Sequence, residues 1–504
     1  MKNKWMTANA LVTATALLLT ACGGGGSANE GTAPAANGEG AESKEKAAQL
    51  TVAFPIFGAV PKDMAAVQSA INEIASEKIN ATVTLTPISF GNWDQQANLM
   101  LSSNEKLDLM FVSAATYSNY VAKGQLIALD ELLEGHGQGI KEALDPAYLK
   151  APQIAGSVYA IPTIRDFASY NGIAMRKDLA DQYGIDVAQL QTLEDVEAAL
   201  RTIKEKEPNL TPLIPGNIGA SILDRYRTYD ILGDGIGVLP NFDNDLKVVN
   251  LYETEEYAQL VAKVRGWYTS DLILKDASTN KTSVSDLMKS NRGFAYLANM
   301  KPGFVEQESK NNGTPMATAT LVQPVSTTSN VTSAMWGIPI NSKTPEKAME
   351  FLNLMYTDAD VVNLLNWGIE GQHYVVKGDV IDFPEGVTAQ TSGYNLNLGW
   401  LFGNQFLSRV FAGNDPEIWE KMKEFNASAL KSKALGFTFD ASPVKAEYAA
   451  VMNVITEYKL PLETGSVDPE KVLPEFISKL KSAGVDKIIA EKQKQLDDWA
   501  KTNQ

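Results

Sequence analysis

Few side chains in the 504-residue sequence could act as nucleophiles, metal ligands or proton carriers: there is one cysteine, Cys22, and there are two histidines, His136 and His373. One cysteine excludes a disulfide framework, a cysteine-ligated zinc site and an iron–sulfur cluster. Two histidines leave little for imidazole chemistry. No GxSxG, HExxH, GxxxxGK(S/T) or strand-borne GxGxxG is present, so the common nucleophile, zinc and phosphate motifs have no carrier. Gly233, Gly235 and Gly237 read as a loop, because no helix follows them. Asn241, Asp243 and Asp245 alternate like the first ligands of a calcium loop. The sixth position is Leu246 in place of glycine and the twelfth is Tyr252 in place of glutamate, so no cation is expected there. His136, between Gly135 and Gly137, reads as an exposed turn. A carboxylate pair for glycoside cleavage has no local signature, and 60 acidic residues make any pair uninformative. Aromatic side chains are more plentiful, with eight tryptophans.

Composition narrows the class further. The formal charge is −16, with 44% hydrophobic and 21% charged residues. The acidic balance opposes a nucleic-acid surface, which needs clustered cations. The length exceeds what one core supports, so two lobes are expected.

The N-terminus carries its own chemistry. Lys2 and Lys4 precede the apolar run Met6–Thr20, which is too short to span a bilayer and reads as a secretory signal over 1–21. It ends Leu19-Thr20-Ala21-Cys22, which looks like a bacterial lipobox, where a thiol accepts lipid before cleavage. Acylation of Cys22, as with palmitate, would give a durable anchor. The stretch 22–49 is rich in Gly, Ala, Glu and Ser and is expected to be a flexible tether with a reach on the order of 30 Å.

From Leu50 onward the chain alternates strand and helix patterns, which indicates an α/β protein. Leu50–Phe57, Ala81–Pro87 and Leu107–Val112 read as strands. A helix opens at Pro61, with Met64, Val67, Ile71 and Ile74 at helical spacing. Thr192 with Asp195 predicts a capped helix whose inner stripe is Leu193, Val196, Leu200 and Ile203. Thr254 and Thr344-Pro345 start two more helices. Asp468-Pro469 opens a C-terminal helical stretch broken at Gly484.

This layout, together with several short segments in order, resembles an ABC-transporter solute-binding lipoprotein of extracellular solute-binding protein family 1. The segments are Leu99–Met110, with Asn104 where glycine is usual, and Tyr159-Ala160-Ile161-Pro162. They continue with Met335-Trp336-Gly337-Ile338, Lys343–Ala348 and Gly368–Tyr374. The last of these, and the chain from Leu435 onward, are similar to a LipO-like subgroup with a C-terminal domain of unassigned role. The resemblance implies a periplasmic-binding-protein-like type II fold, two α/β lobes joined by crossover strands with a ligand cleft between them. The expected divisions are 50–162 for the first lobe and 163–330 for the second. Residues 331–400 are expected to return to the first lobe, and 401–504 to complete the second with the C-terminal segment.

The resemblance further implies a protein that is not an enzyme and needs no cofactor or metal. It implies a monomer, lipid-anchored at the extracytoplasmic face of the cell membrane, that passes a carbohydrate, an oligosaccharide, to ABC permease subunits. A secreted lipoprotein glycosidase and a ligand sensor without transport are the alternatives. For the ligand cleft, Trp93 in a turn after a strand, Trp336 at a crossover and Trp400 are the candidate platforms. Arg165, Asp166 and Tyr170 follow the first crossover, and Glu370 and Tyr374 join His373 in a polar cluster. Trp267, Trp419 and Trp499 lie on helical stripes and read as core, and Arg225-Tyr226-Arg227 reads as a solvated face.

Overall fold

The computed structural model describes residues 46–103 and 105–503. Cys22, the signal, the tether to residue 45 and Asn104 lie outside the described residues. Two five-stranded sheets organise the remainder. In the first, the order is Ala81–Ser89, Ala48–Ile56, Leu109–Val112, Met335–Gly337, Ala160–Pro162. The first three run parallel and Met335–Gly337 runs antiparallel to both its neighbours. Ala48–Ile56 lies inside this sheet and buries Leu50, Val52, Ala53, Phe54 and Ile56, as a strand covered on both faces must. Ala81–Ser89 is an edge strand: it buries Ala81, Val83 and Leu85 alternately and tolerates Pro87.

The second sheet has the order Leu430–Lys431, Met316–Ser326, Ser169–Arg176, Gly293–Met300, Thr211–Leu213. Against it packs the helix Leu193–Lys206, with Leu193, Val196, Leu200 and Ile203 buried. Its start is fixed by a reciprocal cap. Thr192 Oγ1 accepts from the Asp195 N–H at 3.2 Å, and the Asp195 carboxylate accepts from the Thr192 N–H at 2.9 Å. Three C-terminal helices, Lys445–Glu463, Pro469–Ala483 and Val485–Asn503, join this second core through Val451, Phe476 and Ile488. Gly484, with φ +100°, makes the turn between the last two.

Three segments cross between the sheets. Thr163–Ala168 leaves the first for the second, and Thr327–Ala334 returns. The third runs from the first core toward the helix Ile418–Ser428, whose Met422 and Phe425 pack with Ala168 of the second lobe. This departure lies beyond the division expected at 400. Leu401 and Phe402 are buried in the first core, and the Ala412 N–H still donates to Ile381 O at 2.7 Å. His136 also departs from expectation: it ends the helix Asp130–His136 and its Nδ1 lies 3.0 Å from Glu350. Among the described residues no helix is long and apolar enough to cross a membrane.

Candidate functional site

The three crossing segments are tied to one another by backbone. The Thr163 N–H donates to Ala334 O at 3.0 Å, joining the first to the second. The Ile164 N–H donates to Gly403 O at 2.7 Å and Ile164 O accepts from the Gln405 N–H at 3.0 Å, joining the first to the third. Asn426 closes the arrangement: its Oδ1 accepts from the Phe167 N–H and its Nδ2 donates to Arg165 O, at 2.9 and 2.6 Å. With the backbone held on both sides, the side chains of Arg165 and Asp166 have fixed starting points.

Both line a cavity of about 310 Å³ where the crossings meet the second lobe. Asn171, Arg227, Phe242 and Asn299 share its wall. Arg165 Nε donates to Asp166 Oδ1 at 2.7 Å, and Lys301 Nζ lies 3.2 Å from Asp166 Oδ2. Burial opposes ionisation of Asp166, but the positive charges of Arg165 and Lys301 outweigh it and hold the carboxyl below its usual range. On its other side the Arg165 guanidinium stands 5.6 Å from the Trp400 ring centroid. Trp400 is half-buried and meets the Phe111 ring edge-on at 6.4 Å. An unbroken run of contacts thus joins the first-lobe core, through Arg165 and Asp166 of the first crossing, to Lys301 of the second lobe. Cation, carboxylate, amides and an aromatic edge around one recess can bind a neutral polyhydroxylated ring, and offer no activated nucleophile.

The first lobe contributes an aromatic pair that is absent from the sequence-based candidates. Ala48–Ile56 and Ala81–Ser89 pair in register to Ile56 and Ser89, so Phe57 and the adjoining Phe90 emerge side by side. Their rings stack at 5.0 Å and 17°, yet they are 63% and 47% exposed. Exposed stacked aromatics at the carboxyl ends of parallel strands occupy the place where open α/β sheets receive ligands. The Val112–Met335 pairing puts the second crossing at the same end of the sheet. The strands end at Ile56 and Ser89, so each phenylalanine follows directly on a strand.

The sequence-based candidates fall in three places. Arg165, Asp166 and Trp400 come together at the hinge. Trp336 does not join them. It is fully enclosed, donates from Nε1 to Leu401 O at 2.6 Å and stacks on Phe402, so it offers no face to a ligand. Trp93 is likewise core, 3% exposed and edge-on to Phe111 at 5.8 Å. Tyr170 lies between Ser169 and Asn171 on a strand, and strand residues alternate faces. While its neighbours line the recess, Tyr170 turns to Phe425, 5.7 Å between ring centroids.

Glu370 and Tyr374 line a different hollow, between the helices Met64–Ile79 and Ala359–Trp367, which shares no residue with the hinge recess. Glu370 sits 3.7 Å from Arg409 there. His373 is buried behind them. Its Nδ1 accepts from the Ile369 N–H at 2.8 Å, which leaves Nε2 to donate to Asp63 Oδ2 at 3.1 Å. This cluster pins the loop to the start of a first-lobe helix. Arg227, expected on a solvated face, lines the recess instead, its N–H donating to Asn171 Oδ1 at 3.2 Å.

Comparison with known proteins fits this geometry. The pattern of the family described as bacterial extracellular solute-binding protein matches residues 58–362, and a domain of unknown function matches 433–501. A carbohydrate ABC transporter substrate-binding protein of Streptococcus pneumoniae is 29% identical over 99% of both chains. The crystal structure of an N-glycan transport solute-binding protein from the same species superposes with TM-score 0.80 at 27% identity, covering 91% of this chain and 100% of that one. The same protein in complex with Man5GlcNAc gives 0.66, again covering 91% of this chain and 99% of that one.

Proposed function

The chain belongs to the bacterial extracellular solute-binding protein family, and from that premise we propose that it captures an oligosaccharide between its lobes and delivers it to an ABC permease. One observation carries this reading. The recess holding Arg165 and Asp166 lies where three crossing segments meet, and the Phe57–Phe90 pair stands at the same end of the first sheet. A hinge with binding groups on both sides gains contacts when it closes, so ligand and closure favour each other. Support comes from the relatives. One carries carbohydrate transport in its name, and another has been crystallised with Man5GlcNAc. That protein superposes with TM-score 0.80, and with 0.66 in the complex, at the same 27% identity.

The ligand class we assign is a mannose- and N-acetylglucosamine-containing oligosaccharide, bound intact by a monomer without catalysis. Calorimetric titration with Man5GlcNAc tests it. The double variant Phe57→Ala/Phe90→Ala and the single variant Trp400→Ala should each weaken binding several-fold to about tenfold, the range of lost aromatic contacts. Mass spectrometry should recover the sugar uncleaved. Unchanged affinity in both variants would remove these platforms, and cleavage products would replace binding with hydrolysis.

We assign the membrane attachment to Cys22, the chain's only cysteine, placed where a lipobox requires it. Cys22→Ala should abolish incorporation of labelled palmitate and release the protein to the medium. Undiminished labelling would sink that assignment.

A further inference from the structure

The loop Asn241–Leu246 has an unusual backbone. Asn241, Phe242, Asn244, Asp245 and Leu246 all have positive φ, between +43° and +60°, and none is glycine. Asparagine and aspartate tolerate this region; phenylalanine and leucine do so only where their surroundings impose it. The same loop delivers Phe242 to the wall of the hinge recess.

The loop's own turns set part of this backbone, with the Phe242 N–H on Leu239 O and the Leu246 N–H on Asp243 O, and the C-terminal segment adds holds from outside it. Phe242 O accepts from the Lys433 N–H at 2.9 Å. Farther along, Gln493 on the last helix grips the loop's end through one amide. Its Oε1 accepts from the Val248 N–H at 2.8 Å and its Nε2 donates to Leu246 O at 3.0 Å. The second Nε2 proton goes to Asp497 Oδ1 at 2.8 Å, so both protons of the amide and its oxygen are engaged. Beside it, Lys492 Nζ donates to Ile236 O at 2.6 Å, holding the approach to the loop. All three holds originate within residues 433–501, the domain of unknown function.

We propose that this C-terminal domain is a clamp that fixes the strained loop and thereby positions Phe242 against the ligand, with Gln493 as the positioning residue. The proposal rests on the oligosaccharide reading above. Gln493 touches no ligand in this scheme; it acts through the loop.

A double-mutant cycle with Man5GlcNAc as probe tests the clamp. Phe242→Ala should weaken binding several-fold to about tenfold. Gln493→Ala should weaken it about fivefold, the worth of one net hydrogen bond. The two together should be no weaker than Phe242→Ala alone, because Gln493 has nothing left to position. Losses that multiply, or wild-type affinity in Gln493→Ala, would overturn the proposal. Amide hydrogen exchange over residues 241–248 gives a ligand-free reading. Gln493→Ala should accelerate it at Val248, whose N–H loses its acceptor, and through the loosened loop at Leu246, whose N–H bonds to Asp243 O, and unchanged exchange at both also overturns the clamp. If the wild type binds no saccharide while exchange does accelerate, the clamp stands on the loop and the oligosaccharide reading falls.

Discussion

Replacing Lys492 with methionine is expected to lower the unfolding free energy by about 3–5 kcal/mol, the usual cost of removing one partner from a buried ion pair. The Lys492 side chain is fully enclosed. Its ammonium lies 2.6 Å from Asp234 Oδ1 and stands 4.8 Å from the Phe439 ring centroid. Burial pulls the lysine pKa down and pushes that of Asp234 up, against the attraction each exerts on the other. Methionine fills similar volume but strands the Asp234 carboxylate and leaves Ile236 O without this donor. The size of the loss therefore reflects the charge left behind more than the bond removed. The double variant Lys492→Met/Asp234→Asn removes that charge and keeps an acceptor for the Ile236 N–H, and it should recover much of the stability. Urea denaturation of the three proteins measures this. A single variant as stable as wild type would mean that water reaches the pair.

Trp336→Ala is expected to cost a further-ranging 3–5 kcal/mol in the first lobe, about what large aromatic truncations cost in packed cores. The indole is fully buried, and its loss leaves Leu401 O with only the longer bond from Thr163 Oγ1, at 3.3 Å. Leu401 lies in the first core just before the third crossing and Trp336 on the strand that receives the second, so the cavity opens beside the entry of two crossings. Denaturation followed by tryptophan fluorescence should show a lowered midpoint. Saccharide affinity measured below that midpoint should fall less than in Trp400→Ala. The reverse order would make Trp336 a ligand platform after all.

Trp336 and Trp400 mark how far sequence could take the site. Both stand beside glycine in short segments near crossovers, and their local sequence draws no sharp distinction between them. What separates them is tertiary: Trp336 occupies an inner strand covered on both sides, whereas Trp400 follows the last first-lobe helices and meets Arg165 from a crossing far away in the chain. Arg165 and Asp166 were legible because they directly follow a recognisable crossover. Thr192 and Asp195 were legible because a capping box is complete within four residues. Phe57 and Phe90 were not, since their pairing depends on the register of two strands. Glu370 and Tyr374 were misplaced for a related reason: a polar cluster looks the same whether it faces a ligand or secures a loop. Phe242 lay within a segment weighed only as a calcium loop, and that segment is bonded to residues almost 200 and 250 positions later.

The strand Met335–Gly337 sits inside the first sheet, between Leu109–Val112 and Ala160–Pro162. A chain synthesised from its N-terminus therefore carries one open edge on Leu109–Val112, and no sheet partner for Ala160–Pro162, until residue 337 exists. The second sheet has no such gap: four of its five strands lie between Ser169 and Ser326, and only the short edge strand Leu430–Lys431 arrives later. The later-encoded sheet can close before the earlier one. Nascent first-lobe strands must wait through the whole of that interval with unpaired backbone, which makes them the segment most exposed to aggregation during synthesis and export.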